Sequence, residues 1–427
     1  MPPSLREWLP ADHLAWFVLD AVEQMDLSVF YAAYRADGHG RPAHDPAMMV
    51  ALVLYAYAKG VRSAREVERR CGDDVAFRVI AANLAPDHST IARFLVRHQR
   101  ALEGLFGQVL ALCARAGLVR AATIALDSTK LHANASGLAN LDYERIAKEM
   151  IAEGIATDAA EDERYGERRG DELPPELADP TTRRQRLRAA KAELEREWEA
   201  ERQAHQAMLD GRAEHRQRTG RNPKGRPPVE RDMTGDPPGR VNVTDRDSRP
   251  VKTPRGFIQG YNAQAVATAE QIIVAADVTS GSADQGLLGP MITAAREQLT
   301  AAGIKDRVEV VLADAGYWNG EDIQALMGDG IAALVPPDAH TRTEPNPKRR
   351  GGLYDHMRRI LARDDGRQRY RRRQAIIEPI FGQTKFNRRA DRFRRRGLPA
   401  ARAEWHLITA THNLLKLHTA ATTPAPS

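Results

Sequence analysis

Three acidic residues stand where chemistry is conceivable. Asp127 closes the apolar run Ala121-Ala-Thr-Ile-Ala-Leu126, and Asp314 closes Val308-Glu-Val-Val-Leu-Ala313. Glu378 lies among Ile376, Ile377, Ile380 and Phe381, a spacing that turns one helical face towards a core. A carboxylate at the end of a buried strand is a favoured place for catalysis in α/β folds. Clustered carboxylates repel one another unless cations neutralise them, and hard oxygen donors suit Mg²⁺ or Mn²⁺. Two such ions, roughly 3.5–4 Å apart, would activate an attacking oxygen and stabilise the leaving oxygen of a phosphodiester. Taken singly, each residue could equally be a turn or capping carboxylate.

The surrounding pattern must bring these residues together. Residues 10–118 read as helical throughout, with Pro46 and Gly60 bounding an apolar helix and Ser63 with Glu66 offering a capping box. Asp87 precedes a further helix, and the short helices suit either a helix-turn-helix or a plain dimerising bundle. Strands are expected at 121–127, 257–267, 271–278, 308–313 and 331–335, with a hairpin turn at Thr268-Ala-Glu270. Helices are expected at 284–302, which makes Asp284 a first-turn or capping residue, and at 321–327, 367–387 and 400–417. Between them, 140–243 reads as an insertion, a charged helical hairpin followed by a Gly/Pro/Arg-rich return. The organisation expected is therefore a helical N-terminal domain (1–118) for DNA binding or dimerisation, and a core split into 119–139 and 244–419 around the insertion. A disordered tail at 420–427 follows.

Charge narrows the partner. The net charge is +6, yet residues 341–402 hold 20 Lys or Arg against 6 Asp or Glu, a local +14 that leaves −8 elsewhere. Concentrated arginine is the footprint of phosphate-backbone binding, and the aromatic and aliphatic residues threaded through it argue for folded structure rather than a basic tail. Cys71 and Cys113 stand alone, which excludes a disulfide framework or a cysteine zinc cage. With no leader-like start and no apolar run of membrane-spanning length, the expected setting is cytoplasmic, associated with the nucleoid.

At these residues the sequence resembles the DDE transposases of bacterial insertion sequences, most closely the eleven-eighty-two-like group of the insertion-sequence-five superfamily. The resemblance rests on ordered blocks from about residue 10 to residue 417. These include Tyr55-Ala-Tyr-Ala-Lys-Gly60, Pro86-Asp-His-Ser-Thr-Ile91, Ala125-Leu-Asp127-Ser-Thr-Lys130, Asp245-Arg-Asp-Ser248 and Gly260-Tyr-Asn-Ala-Gln-Ala265. They continue in Ala313-Asp314-Ala-Gly-Tyr-Trp318, Arg373-Gln-Ala-Ile-Ile-Glu378-Pro-Ile-Phe-Gly-Gln-Thr-Lys385, Phe393-Arg-Arg-Arg-Gly397 and Thr411-His-Asn-Leu-Leu-Lys-Leu417.

The resemblance implies an α/β, ribonuclease-H-like catalytic core with a mixed five-stranded sheet, preceded by an all-α N-terminal domain. It implies that Asp127, Asp314 and Glu378 hold two Mg²⁺ or Mn²⁺ ions. Lys385, seven residues after Glu378, matches the lysine of the family's Tyr-Arg-Glu-Lys signature and would contact a phosphate at the transposon end. Arg373 and Tyr370 each stand one place off the spacing that signature prescribes. Arg373, Arg394 and Arg395 are further candidates for DNA contact, and Tyr317 and Trp318 could stack on an unpaired base or plug the core. The partners implied are double-stranded DNA, both terminal repeats and target, and a second copy of the chain. A metal-dependent nuclease without strand transfer and an inactive DNA-binding relic are the competing readings. If the arginines bind backbone phosphates, affinity for duplex DNA should fall steeply as salt rises. Anisotropy titrations showing a salt-independent affinity would exclude this.

Overall fold

The computed structural model describes residues 5–34, 43–150, 152, 183–223, 235–338 and 346–423. The chain divides into two compact units, residues 1–134 with 250–427, and residues 135–249.

In the first unit, α1 (Leu14–Glu23), α2 (Ser28–Tyr31), α3 (Pro46–Ala58), α4 (Ala64–Asp73), α5 (Val75–Ile80), α6 (His88–Arg97) and α7 (Gln99–Arg115) lead into β1 (Thr123–His132). Local chemistry sets several of the helix starts. Asp45 accepts the Met48 amide at 3.0 Å with Pro46 in the first turn, Asp74 accepts the Ala76 amide, and Asp87 accepts the Thr90 amide at 2.9 Å. Ser63 makes no such bond, and the expected capping box is not formed because Glu66 is drawn to Arg69 and Arg70.

In the second unit, β2 (Asn140–Leu141) and β3 (Val241–Asn242) pair, and α8 (Arg183–Thr219) is a single 37-residue helix. A small core of Leu141, Ile146, Leu187, Ala190, Leu194 and Val241 joins a helical stretch at 143–150 to the first turns of α8. The turn of the expected hairpin and the middle of its return (224–234) fall outside the described residues.

The chain re-enters the first unit through β4 (Arg249–Thr253), β5 (Gly256–Thr268), β6 (Ile273–Thr279), α9 (Leu288–Ala301), β7 (Val310–Leu312), α10 (Gly320–Gly328) and β8 (Ala332–Leu334). It ends with α11 (Gly352–Ala362), α12 (Asp364–Gly382), a π-helical turn at Gln383–Asn387, and α13 (Leu398–Thr422). Among the described residues the sheet is mixed and has six strands rather than five. Its path is β4-β5-β1-β7-β8, with β6 also paired to β5. The additional strand, β4, carries Pro250, a residue that masks a strand in sequence and confines it to sheet edges. β5 is buried from Gln259 to Thr268 and runs antiparallel to both β1 and β6, whereas β7 and β8 run parallel to β1.

The helices expected as a separate N-terminal domain share one compact unit with the sheet. The reason is α13, which is buried on nearly every side from Ala401 to Leu414. Towards the sheet, Trp405 Nε1 donates to the Gln264 carbonyl at 2.8 Å, and the Asn413 side chain exchanges two 2.8 Å bonds with Ile273. Towards the N-terminal helices, Phe106 stacks on His406 and Cys113 Sγ reaches the Asn413 carbonyl.

A buried ion pair fixes this arrangement. Glu404 has no exposed side-chain surface, and Arg62 Nη1 donates to its Oε1 at 2.8 Å. Arg62 also donates to the Arg389 and Arg392 carbonyls, while the second Glu404 oxygen accepts the amides of Arg394 and Arg395. Removing one member of a fully buried pair strands the other charge, at a cost of about 3–5 kcal/mol. Glu404→Ala should therefore lower unfolding free energy by an amount in that range in urea. A loss typical of a surface substitution would show the pair to be dispensable.

Candidate active site

β1 outruns its parallel neighbour. Its pairing with β7 ends at Ala125↔Leu312, whereas its pairing with β5 continues to His132↔Gly260. Asp127 therefore lies within β1, not at its end as the apolar run suggested. Asp127 and Asp314 each stand two residues past the matched pair Ala125 and Leu312, so strand alternation points both side chains to one face. The freed edge of β1 is covered by the basic segment. Arg373 Nη1 donates to Asp127 Oδ2 at 2.7 Å, Lys385 Nζ donates to the Lys130 carbonyl at 3.0 Å, and Asp391 and Phe393 exchange backbone bonds with His132.

Burial pushes the Asp127 carboxyl up to about 6, with the Asp314 charge adding to the effect and Arg373 and the Ser128 amide opposing it. Arg373 thus offsets only part of the cost of burying this carboxylate. Asp314 caps the short turn Ala315–Tyr317, accepting the Gly316 amide at 2.8 Å. A side chain at Gly316 would have to displace a carboxylate. A Cβ there would sit 2.9 Å from Asp314 Oδ1 and 3.5 Å from Asp284 Oδ2.

Asp284 is the residue that sequence reasoning misplaced. It is neither capping nor helical, because Gly286 takes φ +83 and α9 begins only at Leu288. Its Oδ1 accepts from Asn262 Nδ2 at 2.7 Å, Gln264 Nε2 at 3.0 Å and Lys130 Nζ at 3.3 Å. Burial alone would raise its carboxyl, but these donors bring it below the usual value. Gln264 also accepts the Tyr317 hydroxyl, which ties Asp284 to the turn carrying Asp314. The alternating polar residues Asn262 and Gln264 within an otherwise buried strand were the available signal.

The remaining expectations divide. Glu378 is exposed on α12 and has no hydrogen-bond or ion-pair partner among the described residues. No three His, Cys, Asp or Glu among those residues are grouped closely enough to hold one metal ion. Asp127 and Asp314 are thus brought together, and Glu378 is not brought onto them. α12 continues through Pro379, and Lys385 follows in a wider π-helical turn.

Tyr317 is fully buried and Trp318 stacks on Tyr354 at 4.9 Å, so neither is presented to a base. Arg373 turns inward to Asp127, and Arg395 turns inward to Gln99 at 2.6 Å. Arg388 is wholly buried, bonding the Tyr57 and Ile408 carbonyls and Thr411. The basic segment is therefore partly a structural clamp. Its exposed charges include Arg363, Arg367, Arg369, Arg371 and Arg372 along α12, and Arg394 beyond it.

Two comparisons with known families bear on this site. Residues 238–414 match the transposase DDE domain, and residues 3–97 match the transposase domain (DUF772). No curated protein and no solved structure matches the chain.

Because the space around Gly316 is closed by carboxylates, Gly316→Ala should leave the thermal midpoint little changed while displacing Asp314. Mn²⁺ affinity, followed by isothermal titration with duplex DNA present, should fall by about tenfold. Unchanged affinity would show that this turn does not set the carboxylate geometry.

Proposed function

We propose that this chain, which belongs to the DDE transposases of insertion-sequence type, carries out its chemistry at Asp127, Asp314 and Glu378 on a ribonuclease-H-like core. As a member of that family it is a DNA transposase. It cleaves the phosphodiester at the element's end and transfers the exposed 3′-hydroxyl to target DNA. One phosphodiester replaces another in the second step, so no external energy source is needed.

Support for the core comes from the strand order β6-β5-β1-β7-β8, in which β5 alone runs against the rest and β4 is an addition at the edge. The observation that carries the site is the matched position of Asp127 and Asp314 beyond the Ala125↔Leu312 pair. Mg²⁺ or Mn²⁺, two ions in this reading, would be held by these aspartates with Glu378, supplying an activated attacking oxygen and a counter-charge for the leaving one.

The chain's own residues do the rest. Arg373 screens Asp127, and its buried Nε has no hydrogen-bond partner among the described residues, leaving the guanidinium a donor still to satisfy. Lys385, held at the Lys130 carbonyl, brings an ammonium alongside β1, where a phosphate of the element's end would pass. The exposed arginines of α12 provide backbone contacts that position the duplex without reading its sequence. Working on two ends calls for at least two copies of the chain. The N-terminal helices, residues 1–118, serve DNA binding or dimerisation in this reading, and the unit between β1 and β4 is an insertion in the catalytic half. No helix among the described residues is long and apolar enough to cross a membrane.

The test uses the full chain with Mg²⁺, a plasmid carrying the DNA that flanks the gene on both sides, and a second plasmid as target. Joined products are expected, and cleavage without joining would favour a nuclease. Asp314→Asn should abolish both steps while the affinity for duplex DNA stays near that of the unaltered protein. Full activity in that variant would refute the site.

A further inference from the structure

Proline within α12 leaves a specific gap. Pro379 has no N–H, so the carbonyl four residues before it, that of Ala375, loses its helical partner. That carbonyl is not left empty. Gln271 Nε2 donates to it at 2.9 Å from across the molecule.

Gln271 occupies an unusual place. The connection from β5 to β6 is a three-residue loop (Ala269, Glu270, Gln271) closed by the Gln271 amide on the Thr268 carbonyl at 2.8 Å and the Thr268 amide on the Ile272 carbonyl at 2.9 Å. Loops of this length end on a left-handed residue, and Gln271 has φ +64. Glycine or asparagine is the ordinary choice there, because a longer side chain pays a steric penalty in that region. Gln271 carries that penalty, and its side-chain amide is bonded at both its nitrogen and its oxygen.

The side chain is also held in one orientation. Lys416 Nζ donates to Gln271 Oε1 at 2.7 Å, which turns the amide nitrogen towards Ala375. His412 Nε2 bonds the Gln271 carbonyl at 3.0 Å, and Asn413 grips Ile273 beside it. Three residues of α13 thus fix the loop whose glutamine reaches α12. The turn of α12 so held is the one that carries Glu378, immediately before Pro379.

We propose that Gln271 is a positioning residue for Glu378: its amide replaces the N–H that Pro379 lacks and sets the course of α12 where it presents the carboxylate. This rests on reading Glu378 as the third catalytic carboxylate.

The experiment compares four full-length variants in the Mg²⁺ cleavage assay on the plasmid bearing the gene's flanking DNA, with thermal midpoints measured alongside. Gln271→Gly removes the side chain and suits the left-handed backbone, so its thermal midpoint should not fall. Its cleavage rate at saturating DNA should drop by about ten- to a hundredfold with little change in half-saturating DNA. Adding Pro379→Ala gives Ala375 a backbone partner and should return most of that rate, and Pro379→Ala alone should no longer depend on Gln271. A Gln271→Gly protein that cleaves at the unaltered rate overturns the proposal, as does a double variant no faster than Gln271→Gly. Undiminished cleavage by Glu378→Gln would instead overturn the assignment of Glu378, whatever Gln271→Gly does.

Discussion

A carboxylate with no access to water must have a cation beside it, and Glu404 obtains one from Arg62, 342 residues away in sequence. That single requirement connects the loop after α3, the basic loop after α12 and the middle of α13. Since α13 also bonds β5 and β6 through Trp405 and Asn413, the N-terminal helices and the sheet cannot be placed independently. The same clamp brings Asp391 and Phe393 against the end of β1. The open edge beside Asp127 is thereby closed by protein on one side and left to α12 on the other. The edge of β1 beside Asp127 is thus bounded through an ion pair formed elsewhere in the fold.

Within that frame the site is an exercise in distributing negative charge. Asp284 is satisfied by three donors and lies low, whereas Asp127 shares one guanidinium with the influence of Asp314 and lies high. The two environments are neighbours, linked by Gln264, Tyr317 and the Ala315–Tyr317 turn. Asp284 is thus held by its donors, whereas burial works against the charged form of Asp127.

The sequence made some of this legible and hid the rest for physical reasons. Apolar runs of β-forming residues marked β1 and β7, and Glu378 was suggested by the motif blocks alone. Asp284 was misread because an acidic residue before Gly286-Leu-Leu288 resembles a helix cap, and only the left-handed Gly286 delays the helix. Arg373's bond to Asp127 spans 246 residues, a distance over which spacing carries no information. Composition likewise cannot separate an arginine in solvent from Arg388, whose guanidinium is enclosed by carbonyls and a hydroxyl. The charge of the segment was read correctly, and the direction in which individual side chains point was not.

The excursion between Asn134 and Pro250 has a consequence for how this chain folds and diversifies. It leaves the sheet just past His132 and returns at β4, which leads directly into β5, whose Gly260 lies opposite that same His132. The two ends of the excursion are therefore held close by pairing that belongs to the sheet alone. For a flexible connection the entropy of bringing such ends together grows only logarithmically with length, about 0.6 kcal/mol for each doubling. A connection of that kind can be lengthened, shortened or exchanged at small thermodynamic expense to the sheet. The gap between β1 and β4 is thus a place where descendants of this chain can gain or shed whole segments while the catalytic strands keep their register.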